Sequence, residues 1–129
     1  MAQDPVTGWK LPPEDRARLL EAIPPHFTNL VADHVTLQTG TGADTPLPPR
    51  TSATVLGEID DGEGVQALVV AIAGSTSRPD GGTYHITWSL APGRNAKESN
   101  DVIARLGWRP LSEPVAIALQ PARWPRRAQ

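Results

Sequence analysis

The sequence predicts an α+β fold: a compact single domain with antiparallel or mixed sheet, in one or two layers, of about five strands and two short helices. Three observations lead there. Five stretches are rich in β-branched and apolar residues and are bounded by Gly, Pro, Asn or Asp, as strands are. Two others space their apolar residues at helical intervals. At 129 residues the chain can enclose one hydrophobic core but falls short of two.

Residues 1–12 are punctuated by Pro and Gly and are expected to be extended. After Pro12 and Pro13, "EDRARLLEAI" puts acidic residues in a first helical turn and Ala17, Leu20 and Ile23 on one face. Pro24 and Pro25 end that helix. "NLVADHVTLQTG" reads as one strand, with Leu30, Ala32, His34, Thr36 and Gln38 on one face and Val31, Val35 and Leu37 on the other. The proline-rich "TGADTPLPPR" is a loop. "TSATVLGEID" and "VQALVVAI", joined by "DGEG", form a hairpin whose second strand is apolar enough to be central.

The loop "AGSTSRPDGG" leads to the strand "TYHITWSL", and the turn "APGR" to a helix within "NAKESNDVIARLGW". Ser99 or Asn95 is its candidate cap; Val102, Ile103 and Leu106 face the core, and Gly107 ends it. "SEPVAIALQP" is the last strand, and the basic residues 122–129 are expected to form a flexible tail.

Composition narrows the function. A net charge of -2 lacks the basic excess of a long-range nucleic-acid binder. The absence of cysteine removes disulfides, thiolate nucleophiles and cysteine-based zinc sites. No basic flank leads into an apolar run at the N-terminus and no stretch approaches membrane-spanning length, so a cytoplasmic, membrane-free protein is expected. Helical His-x-x-x-His spacing is missing, and neither a metal nor another cofactor is expected.

The polar residues that interrupt two strands carry the chemistry. "HVTL" begins at His34 and "HITW" at His85, and alternation along a strand puts each histidine and its threonine on one face. "HFT" at His26 also fits His-x-Thr, but it follows two prolines in a loop and is set aside. The strand-borne pair resembles the two-histidine (2H) phosphoesterase superfamily, whose members include RNA 2′,3′-cyclic phosphodiesterases. That resemblance implies that His34 and His85 are the general acid and base, in an order left open. It also implies that Thr36 and Thr87 bind the phosphate and that the substrate is a small nucleotide or an RNA end. The short spacing between the motifs departs from the superfamily.

The residues support this chemistry on physical grounds. Two imidazoles with pKa values of about 6.5 can take a proton from the attacking oxygen and give one to the leaving oxygen near neutral pH. Threonine hydroxyls can donate hydrogen bonds to the equatorial oxygens, where charge builds up. Arg94, Lys97, Ser99 and Asn100, at a strand-to-helix junction, are candidate substrate contacts.

Asp33 is expected on the face opposite His34, and Arg78 is read as an exposed loop residue; neither is assigned to the site. Tyr84 and Trp88 are expected in the core, while Trp9, Trp108 and Trp124 receive no role. Two rival readings are a non-catalytic nucleotide or RNA-end binding module, and a structural or interaction domain.

Overall fold

The computed structural model describes residues 5–125. Its elements are β1 (Pro5–Lys10), α1 (Pro13–Ala22), β2 (Asn29–Leu30), β3 (His34–Gln38), β4 (Thr51–Asp60), β5 (Val65–Ile72), β6 (His85–Leu90), α2 (Glu98–Leu106) and β7 (Arg109–Pro125). The strands form one sheet in the order β2-β6-β5-β4-β7-β1-β3, every pair antiparallel. The α+β class and the two helices agree with the sequence reading, but there are seven strands where five were expected.

Two causes account for the difference. The N-terminal segment is a full strand, β1, sandwiched between β3 and β7. The stretch 29–38 is not one strand, because Ala32 adopts a positive φ of 45°. Residues 29–32 run along β6, with Val31 and Ala32 donating to the Trp88 and Thr87 carbonyls. Beyond the bend the chain leaves β6 and pairs with β1 as β3. The two ends of the strand order are thus consecutive in the chain, and β3 comes to lie against β6.

β7 is the strut of this arrangement. Its first part, to Leu119, pairs with β4, and its last part, Gln120–Pro125, pairs with β1. Residues 122–125 therefore belong to the sheet and not to a flexible tail; the rest of the expected tail lies outside the described residues.

Apolar side chains cover both faces of the sheet. On one face Leu68, Val70, Ile86, Trp88 and Leu119 pack with Trp9 and with Leu19 and Ile23 of the α1 region. On the other, Val65, Ala67 and Val69 meet Val102 and Ile103 of α2. This two-sided burial is why β5 is apolar throughout except at Gln66. Burying Val102 and Ile103 supplies about 1.5–3 kcal/mol each to docking α2.

Both helices differ in detail from the sequence reading. In α1 it is Leu19 that is buried, while Ala17 is exposed and Leu20 lies at the edge of the core. In α2 Leu106 is exposed, and neither Ser99 nor Asn95 caps the helix by its side chain. Gly107 ends α2 with a φ of 73°, as expected.

Candidate active site

The bend at Ala32 and the strand β6 bring the two motifs together. A cavity of about 250 Å³ is lined by His34 and Thr36 from β3, His85 and Thr87 from β6, and Lys97 and Asn100 from the start of α2. Arg78, Asp80 and Trp124 also line it. His26 lies elsewhere: its Nδ1 is 2.6 Å from Asp60 Oδ2, and its backbone N–H donates to buried Gln66.

The two histidines are held differently. His85 is 8% exposed, and its Nδ1–H donates to the Thr83 carbonyl at 2.8 Å. Its neutral ring therefore carries the lone pair on Nε2. Burial pushes the His85 pKa down to about 4, with smaller contributions in the same direction from Arg78 and His34. His85 is thus an uncharged base at neutral pH.

His34 Nδ1 lies 3.1 Å from Asp33 Oδ2. Asp33 does not point away, contrary to the strand alternation read from sequence. The segment is bent at Ala32, so regular alternation fails for the residue that follows. The hydrogen bond from His34, aided by the Lys10 ammonium, holds the Asp33 carboxyl well below the usual carboxylate range. Trp124 packs on His34 with ring centroids 4.5 Å apart, and Lys10 Nζ sits 5.0 Å from the Trp124 ring.

The threonines differ too. Thr36 is half-buried at the cavity wall. The Thr87 hydroxyl lies 3.2 Å from the Ala96 carbonyl and 2.9 Å from Ser99 Oγ, so it ties β6 to α2 as well as facing the cavity.

Arg78 reverses its sequence reading. Its side chain is only 9% exposed; Nε donates to Asp80 Oδ1 at 2.9 Å and Nη2 to Asn100 Oδ1 at 3.1 Å. The turn Arg78-Pro79-Asp80-Gly81, closed by Gly81 N–H to the Arg78 carbonyl, folds the guanidinium back over Gly82. A side chain at Gly82 would occupy that space. The signal in "SRPDGG" was therefore the turn itself, which redirects the arginine inward.

Two of the expected contacts are otherwise engaged. Arg94 does not line this cavity: it pairs with Glu98 at 2.9 Å and Asp61 at 3.2 Å and donates to the Glu63 carbonyl. Ser99 is fully buried beneath Thr87. Lys97 and Asn100 line the cavity.

No protein-family model matches the chain, and no curated protein or solved structure matches it. Among the described residues no three His, Cys, Asp or Glu side chains are grouped so as to hold a metal ion, and no helix is long and apolar enough to cross a membrane.

Proposed function

We propose that this protein is a 2H-type, metal-independent phosphodiesterase that hydrolyses a small nucleotide or RNA-end phosphodiester, with a 2′,3′-cyclic phosphate as the favoured substrate. One observation carries the reading: both His-x-Thr pairs, far apart in sequence, line one cavity together with the cations Arg78 and Lys97. A cavity of about 250 Å³ suits a phosphate and its sugar better than a polymer.

The unequal settings of the histidines divide their roles. His85, neutral and with Nε2 unprotonated, takes the proton from the attacking water. The oxygen of that water bonds to phosphorus as the bond from phosphorus to the ribose oxygen breaks. His34, protonated, gives its Nε2 proton to the departing ribose oxygen. Arg78, Lys97 and Thr36 hold the non-bridging oxygens. Thr87 joins them by exchanging its bond to the Ala96 carbonyl for one to the phosphate.

The test is hydrolysis of 2′,3′-cyclic nucleotides and cyclic-phosphate-ended RNA with a chelator present. Activity is expected to persist, and His34→Ala and His85→Ala each to lose about 10²–10⁴-fold while the far-ultraviolet circular dichroism is unchanged. A second reading, a nucleotide-binding module without turnover, draws on the Thr87 hydroxyl's engagement with α2. Binding of a 2′,3′-cyclic nucleotide that is never cleaved would establish it over the enzyme.

A further inference from the structure

Lys10, Asp33 and Trp124 surround the outer side of His34. Lys10 sits directly across the β1–β3 ladder from His34, its Cα register partner. Its ammonium and the His34 Nδ1 meet the same oxygen, Asp33 Oδ2. The Leu11 N–H donates to the Asp33 carbonyl at 3.1 Å, so the backbone beneath the carboxylate is fixed as well. Trp124 then closes one side of the imidazole. His85, in contrast, is oriented by a backbone carbonyl, and among the described residues no carboxylate pairs with its ring.

We propose that Asp33 is a positioning residue that fixes His34 as the Nδ1–H tautomer, presents its Nε2 to the cavity and thereby makes it the proton donor to the leaving oxygen. The carboxylate accepts from Nδ1–H and so leaves Nε2 as the nitrogen that exchanges protons with substrate. Lys10 holds the same Asp33 oxygen that contacts the ring, and Trp124 packs against the imidazole. Asp33 stays anionic across the working range because His34 and Lys10 hold its pKa low. The charged and titratable groups around this unit are Lys10 from β1, Arg78 and Asp80 from the loop before β6, the neutral His85 from β6, Arg94 from the turn after β6 and Lys97 at the start of α2. The assignment rests on the phosphodiesterase reading only for its catalytic consequence; the tautomer is a property of the free protein.

The experiment has two arms. In the first, ring-nitrogen NMR of the full chain at mildly alkaline pH reports the tautomer of His34. Nδ1–H is expected in the wild type, with a shift toward Nε2–H in Asp33→Asn, whose amide can donate to Nδ1. In the second, the wild type, Asp33→Asn and Asp33→Ala are compared on a 2′,3′-cyclic nucleotide and on a p-nitrophenyl nucleotide phosphodiester, whose leaving group departs without a proton.

Both variants should lower kcat on the cyclic substrate about 100-fold, with KM little changed, and stay within about threefold of wild type on the p-nitrophenyl ester. His85→Ala should lose both activities, and Lys10→Arg should retain more of the cyclic activity than Lys10→Ala. Equal losses on the two esters, or a wild-type His34 in the Nε2–H form, overturn the assignment. A wild type that cleaves neither ester yet shows the Asp33-dependent tautomer keeps the positioning and refutes the enzyme reading instead.

Discussion

The acid stability of the protein should carry the mark of one buried imidazole. His85 titrates at about 4 in the folded chain, against an ordinary value of 6.5. Between those two values the unfolded chain holds a proton on this ring that the folded chain cannot, so lowering the pH favours unfolding. The site's contribution is fully present above about pH 6.5 and is gone below about pH 4. From pH 7 to about pH 4.5 it removes about 2–3 kcal/mol, a large fraction of a small domain's typical 5–15 kcal/mol. Asp33, Asp61, Asp80 and Glu98, all with lowered values, push stability in the same direction as pH falls.

Only a difference between proteins isolates His85. Urea unfolding followed by tryptophan fluorescence should be run at both pH values on the wild type and on His85→Gln, which keeps a polar side chain of similar size. The wild type should lose about 2–3 kcal/mol more than the variant between the two conditions. A difference below about 0.5 kcal/mol would mean that His85 titrates normally in the folded state, and would remove it as a base poised by burial.

Arg78→Ala should reduce kcat/KM for a cyclic nucleotide about 100-fold and loosen the loop before β6, read as faster amide exchange at Thr83 and Tyr84; an unchanged kcat/KM would take Arg78 out of the phosphate site. Trp124→Ala should raise KM for nucleotides about 5- to 100-fold through loss of indole stacking on the base, and should leave turnover of bis(p-nitrophenyl) phosphate, which has no base, less affected; equal effects on both would limit Trp124 to supporting His34. Gly8→Ala should destabilise the fold by about 1–3 kcal/mol, measured by urea unfolding, because its Cβ would run into the Val35 backbone where β1 pairs with β3; a neutral result would refute that close approach.

Much of the site was legible in the sequence because strand periodicity is a local property. "HITW" keeps its alternation up to the register shift at Trp88, and that alternation correctly sent Tyr84 and Trp88 to the core and His85 and Thr87 to the other face. "HVTL" was legible for His34 and Thr36 but failed for Asp33, because the bend at Ala32 comes from pairing with two different strands, which no local pattern reports. Arg78 was missed for a similar reason. An arginine in a Gly-Pro loop is exposed unless the turn and a distant Asn100 draw it in. Trp124 was hidden because the strand that carries it is completed only by β1, over a hundred residues earlier in the chain. The core was clearest where burial is two-sided, as in β5, and least clear in α1, where Leu19 and Leu20 are interchangeable by composition alone.

The strut β7 also sets when the site exists. The pair β1–β3, which carries Lys10 and His34, is hydrogen-bonded to β4 through β7. The stretch up to the end of α2 already contains both histidines but lacks the strand that hydrogen-bonds β1 to β4. The cavity wall is therefore complete only once β7 has paired with both β4 and β1, which brings Trp124 to His34.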